Sequence, residues 1–308
     1  MMRFKAVARM KRSEIRELIP AFRFAPCGLR TAALLVAGCL WLAGCTEAPP
    51  PSMAPFDHRH ALLDQVLQKH VANGLVNYRA LQADQDTLNR YLQSLAAADP
   101  KSYESWTRQQ KLALWINAYN AYILRTIVDH YPVTRSIFAD PLRRYPADSI
   151  RQIPGVWGWR WWPALSGKYT LDHMDHVILR KELKEPRIHF VLVCASIGCP
   201  LLESRAFDAE HLESRLDQAA VNYLYRDRKV RIDRVQNTVR LPQIFNWFAG
   251  DFTPDIETAV FFERYPREAI GPLTWVYRYA NPEDRDFLRQ GKFELAYLEY
   301  DWALNEKR

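Results

Sequence analysis

Long apolar runs, strong charge and repeats are all scarce in this sequence of 308 residues, and each scarcity removes a class of protein. The apolar stretch Thr31 to Gly44, TAALLVAGCLWLAG, holds 14 uncharged residues, short of the ~20 that a helix needs to span a bilayer. The net charge of +7 looks basic, yet eight Lys or Arg before residue 31, set against Glu14 and Glu17, account for nearly all of it. The remainder is close to neutral and lacks the positive footprint of a nucleic-acid binder, so that partner class is set aside. No internal repeat is present. Helical and strand-like stretches do not alternate in the βαβ rhythm of a doubly wound sheet, which leaves a helix-rich α+β domain with a small, mostly antiparallel or mixed sheet.

The first 44 residues instead fit an export leader: a basic n-region, an apolar h-region of signal-peptide length, and a close on Leu42-Ala43-Gly44-Cys45. That ending looks like a lipobox, in which the thiol of Cys45 takes a diacylglycerol. Val36-Ala37-Gly38-Cys39 is a rival, but it would shorten the h-region and leave Leu40-Trp41-Leu42 beyond the cut. Residues 45–55, with Pro49, Pro50, Pro51 and Pro55, read as a Pro-rich tether, and residues 56–308 as one domain. The expected protein is exported and anchored to a membrane through lipid on Cys45. Thr46, where Asp would signal retention, favours the outer membrane in a cell with two. Of the five cysteines, only Cys194 and Cys199 then remain uncommitted, an even pair in an oxidising compartment.

Along the chain, helical spacing covers His58 to Leu81, Leu88 to Leu95, and Lys111 to Tyr131, where Pro132 stops it. Trp157, Trp159 and Trp161 alternate as in a strand or hairpin. Thr170 is placed to cap a helix running to about Lys184. Ile188 to Cys194 reads as a buried strand, and Asp208 to Tyr225 as helix. Lys229 to Asp233 and Thr238 to Leu241 form a predicted hairpin, Pro242 to Phe248 a helix, Glu257 to Tyr265 and Pro272 to Tyr279 further helix, and Phe293 to Leu298 a closing strand.

Chemistry concentrates at Cys194-Ala195-Ser196-Ile197-Gly198-Cys199-Pro200. The run His189 to Leu202, with Trp115-Ile116-Asn117-Ala118-Tyr119-Asn120-Ala121, Asp175-His176 and Arg180, Leu241 to Phe248, and Tyr300-Asp301-Trp302-Ala303-Leu304-Asn305, resembles the bacterial family catalogued as domain of unknown function 547. The resemblance spans roughly Leu75 to Asn305. Asp175 departs from the Glu expected of relatives, which shortens that carboxylate's reach. The resemblance implies kinship and no reaction, so cofactors stay unknown.

Three readings of the cysteines stay open. A disulfide needs only that the loop fold back, which Gly198 permits. A nucleophilic thiol needs a base and an orienting partner; His176 serves better than His189, because residues five apart in a regular strand face opposite ways, and Asp301 or Asn305 could orient it, with Ser196 helping an oxyanion. A metal site would use His173 and His176, three apart on a helix, with a cysteine. The plainer alternative hydrogen-bonds His176 in the core and pairs Arg180 with a carboxylate. Asn117 and Asn120, amid aromatic bulk, are expected either to tie helix to loop backbone or to meet a ligand. Trp157 to Trp162 offer core packing or a platform for a sugar. The combined expectation is an envelope lipoprotein with a binding or assembly role, meeting an unidentified envelope polymer or protein, and the alternative is a thiol-dependent hydrolase or acyltransferase using Cys199 or Cys194.

Overall fold

A computed structural model describes residues 55–227 and 229–307. The expected leader, Cys45 and the expected tether up to residue 54 lie outside them. The organising element is α5 (Arg108–His130), whose start is set by a capping box: Thr107 Oγ1 accepts the Gln110 amide at 3.2 Å, and Gln110 Oε1 accepts the Thr107 amide at 2.9 Å. From Leu112 to Leu124 every residue of α5 is buried, so the helix is surrounded on all sides rather than laid on a surface.

Its neighbours are α2 (Tyr78–Ala83), α3 (Asp86–Ala97), α6 (Leu212–Val221) and a wide-wound π-helix, His173–Glu182. The N-terminal helical pattern proves to be two pieces. After α1 (Ala61–His70), Asn73 and Gly74 take positive φ angles and turn β1 (Val71–Ala72) onto β2 (Leu75–Val76) before α2 begins. A short helix, α4 (Pro100–Glu104), leads into α5, and a second small hairpin joins β3 (Trp162–Ala164) to β4 (Gly167–Tyr169).

The C-terminal third carries a mixed sheet. β5 (Arg231–Asp233) and β6 (Thr238–Leu241) form the expected hairpin, whose turn is closed by Asp233 Oδ1 accepting the amides of Val235 and Gln236. β7 (Glu294–Tyr297) adds in parallel to β6, with Val239 opposite Leu295. Between them run α7 (Gln243–Trp247), α8 (Ile256–Ala259), α9 (Arg267–Tyr279) and α10 (Pro282–Arg289). The architecture is thus a helix-rich α+β single domain. No helix among the described residues is long and apolar enough to cross a membrane.

A final strap, residues 300–306, runs between the hairpin near residue 76 and the segment near residue 196. Its Asn305 carbonyl accepts the Val76 amide at 2.9 Å, and Asn305 Oδ1 accepts the Tyr78 hydroxyl at 2.7 Å. Its Leu304 forms an isolated antiparallel bridge with Ser196.

Two expected strands are absent. Trp157 to Trp159 lie in turns, with Gly155 at φ 60°, Arg160 and Trp161 are irregular, and pairing starts only at Trp162. Ile188 to Cys194 is buried but is not a strand. Glu185 caps a 3-10 turn, Pro186–Phe190, and residues 191–194 have no strand partner. Its main-chain groups go to a side chain instead: Asn120 Nδ2 donates to the Val191 carbonyl and Asn120 Oδ1 accepts the Val193 amide, each at 2.9 Å.

Candidate functional site

One cavity of about 320 Å³ gathers most of the chemistry. Tyr119 comes from α5, Asp172, Asp175 and His176 from the π-helix, His189, Cys194 and Cys199 from the irregular segment, Trp247 and Phe248 from the end of α7, and Tyr300 and Trp302 from the strap. Arg151 and Trp157 complete the wall.

The irregular segment can deliver His189 and Cys194 to the same cavity because it is not a strand. The face-alternation argument against His189 therefore fails. Its Nε2–H donates to Asp251 Oδ2 at 2.7 Å, and its ring stacks on Phe248 with centroids 4.3 Å apart. Asp251 also receives Arg180, which donates from Nη2 to Oδ1 at 3.0 Å and from Nε to Oδ2. Burial pushes this carboxyl up, but the hydrogen bonds from His189 and Arg180 outweigh that and hold it down at about 2. It is therefore a fixed anion. Arg180 reaches on from there, donating Nη1–H to His176 Nδ1 at 2.6 Å. A guanidinium has no acceptor, so His176 Nδ1 must accept and its proton sits on Nε2. Asp251, unmarked by any motif, is thus the centre of a four-residue network, and Arg180's need for a carboxylate was the only sequence signal for it.

Asp175 behaves oppositely. Burial raises its pKa against the pull of His176, His189 and Arg180, and its Oδ1 is shut off from solvent without a hydrogen-bond partner. Arg151 on the facing wall lies over the rings of Trp302 (4.2 Å) and Trp157 (4.6 Å), and burial lowers its pKa. The cavity is therefore ring-lined, and its charged groups include Asp172, Asp175 and Arg151 beside His176 and His189.

Cys194 and Cys199 are joined in a disulfide, with Cα atoms 6.3 Å apart, inside the range such a bridge requires. The remaining candidates disperse. Asn117 lies away from the cavity lining, donating to the Phe207 carbonyl at 2.7 Å and accepting its amide at 3.0 Å, and Asn120 holds Val191 and Val193. Both bind backbone. Ser196 is buried and its Oγ donates to the Cys194 carbonyl at 3.4 Å. Asp301 is exposed, accepting the Ala303 amide through Oδ1, while Asn305 serves the N-terminal hairpin through Tyr78 and Gly74. Neither orients His176; its partners are Arg180, with Asp175 at 3.6 Å and Asp172 at 3.7 Å. His173 turns to Tyr169, ring centroids 5.5 Å apart, and no group of three or more metal-ligating side chains converges among the described residues. The tryptophans split up: Trp162 stacks on Tyr122 in the core, Trp157 lines the cavity, and Trp159 and Trp161 face solvent.

Residues 103–224 match the family described as Protein of unknown function, DUF547. That stretch supplies α5, the π-helix and the disulfide, but Trp247, Asp251, Tyr300 and Trp302 fall after it. No curated protein and no solved structure matches the chain.

Proposed function

We propose that this chain, whose family match carries no activity with it, is an exported, lipid-anchored envelope lipoprotein that binds a saccharide unit of an envelope polymer in the ring-lined cavity. The observation that carries the reading is Asp175: a carboxyl with an unpartnered, buried oxygen in a cavity walled by Trp157, Trp247, Trp302 and Tyr300. An unsatisfied buried acceptor is costly, and a ligand hydroxyl would satisfy it while a sugar ring stacks on the indoles. Arg151 and His176 Nε2 offer donors to the same ligand. The alternative hydrolase has no nucleophile while the bridge is intact, because a sulfur in a disulfide cannot be acylated.

Tryptophan fluorescence during titration with chito-oligosaccharides and soluble muropeptides tests the binding. A saturable change that Asp175→Ala and Trp247→Ala each weaken at least tenfold is the expected result. A response to neither probe, or one indifferent to both substitutions, rejects it. For the anchor, Cys45→Ala should move the protein out of the membrane fraction; unchanged fractionation removes that part of the reading.

A further inference from the structure

The Cys194–Cys199 bridge spans a sequence separation of five residues, and closing so short a loop constrains the unfolded chain only weakly. The same segment is already held without it. The amides of Ile197 and Gly198 donate to the carbonyls of Ala303 (2.9 Å) and Asp301 (2.8 Å), and the Asn305 amide donates to the Ala195 carbonyl (3.1 Å). Gly198 sits so close to the strap that a Cβ there would lie 2.8 Å from the Asp301 carbonyl oxygen. Upstream, Asn120 pins residues 191 and 193. A staple adds little where main-chain bonds do the holding.

What distinguishes the bridge is the unequal surroundings of its two sulfurs. Cys199 is 2% exposed, and its Sγ accepts the Cys194 amide at 2.9 Å and the Tyr300 hydroxyl at 3.0 Å, the same hydroxyl lying 3.2 Å from Cys194 Sγ. Burial raises the Tyr300 pKa, so the hydroxyl keeps the proton it donates. Cys194 is the more open of the pair, and both line the cavity. The Cys194 amide is aimed at Cys199 and the Tyr300 hydroxyl lies nearer to it than to Cys194, so both stabilise negative charge on Cys199, and exchange is faster when the departing thiolate is stabilised.

We propose that this disulfide undergoes thiol–disulfide exchange with a small-molecule thiol admitted by the cavity, Cys194 being the sulfur attacked and Cys199 the leaving group. The incoming thiolate, its proton already lost to solvent, forms a bond to Cys194 Sγ. The Cys194–Cys199 bond breaks, and its electron pair leaves on Cys199, held by the Cys194 N–H and the Tyr300 O–H. A second thiolate attacks the thiol sulfur of the adduct, releasing the small-molecule disulfide. Two thiols are thereby oxidised and the protein bridge reduced; an oxidised small-molecule disulfide reverses the sequence. The cavity volume of about 320 Å³ suits a small molecule rather than a folded partner. This chemistry stands apart from glycan binding, since neither needs the other.

The test incubates the oxidised full chain with reduced glutathione under native conditions, quenches with acid, and maps the adduct by mass spectrometry while circular dichroism follows the fold. A glutathione adduct on Cys194, formed with the fold unchanged and about tenfold more slowly in Tyr300→Phe, is the expected result, the factor being that of one hydrogen bond to a charged group. An adduct on Cys199, equal rates in a folded Tyr300→Phe protein, or reduction only in denaturant that unfolds the chain would each overturn the proposal. Adduct mapping on the unsubstituted protein needs no variant to fold.

Discussion

Replacing Asn120 by alanine probes the link between the central helix and the cavity floor. The amide is 5% exposed and makes two hydrogen bonds, one to the Val191 carbonyl and one from the Val193 amide. Alanine leaves both main-chain groups buried and unpaired, and each such loss costs about 1–3 kcal/mol. With nothing nearby on a strand to replace them, the total is about 3 kcal/mol. For a domain of this size, with a urea slope near the upper end of ~1–3 kcal/mol/M, the unfolding midpoint should fall by about 1 M. Equilibrium urea denaturation followed by circular dichroism measures it. Asn117→Ala, which frees the Phe207 amide and carbonyl, should destabilise comparably, yet only Asn120→Ala should loosen the approach to Cys194 and so raise its reactivity in the native state. A loss below about 1 kcal/mol for Asn120→Ala, or equal thiol-exchange rates in the two variants, would show that the irregular segment is not held by this amide.

Acid titration should expose Asp251. Its folded pKa of about 2 lies below the ordinary 3.8, so its stabilisation is fully present above that ordinary value and is lost as pH falls through 2; the advantage of the native protein over Asp251→Asn, on the order of 1–2 kcal/mol, should shrink across that window, and a constant gap would contradict the assignment. Gly271→Ala should lower the melting temperature, because a Cβ there would lie 1.8 Å from the Phe252 carbonyl oxygen, and such overpacking costs about 1–3 kcal/mol or more; an unchanged melting curve would refute the close approach. Thr107→Ala removes one half of the capping box of α5 and should cost about 0.5–2 kcal/mol in the same urea assay, whereas Thr107→Ser should cost less.

How far the sequence revealed the molecule depended on where each segment's partners lie. α5 was legible from Lys111 onward because its apolar spacing and its stop at Pro132 are local, while its start at Arg108, set by the Thr107–Gln110 capping box, was missed by three residues. The β5–β6 hairpin was legible because alternation and a turn sit together in a dozen residues. Ile188 to Cys194 misled because periodicity separates buried from exposed but does not distinguish a buried strand from a buried irregular run; the deciding hydrogen bonds come from Asn120, some seventy residues earlier. The π-helix was placed at Thr170, whose Oγ1 does accept the His173 amide at 3.1 Å, but its wide winding has no sequence signature. The site followed the same rule. The cysteine pair and Asp175-His176 stand out as local clusters, whereas Asp251, Arg151 and the aromatic wall assemble only through the fold.

The strap at residues 300–306 has a consequence for how the molecule comes into being. Tyr300 and Trp302 wall the cavity, Ala303 and Asn305 hold the disulfide segment, and Asn305 ties in the hairpin near residue 76. A ribosome delivers these pieces last, after every other part of the cavity has emerged. A nascent chain stopped short of residue 300 therefore has its central helix and its Asp251 network within reach, yet no enclosed pocket and no donor from Tyr300 on either sulfur.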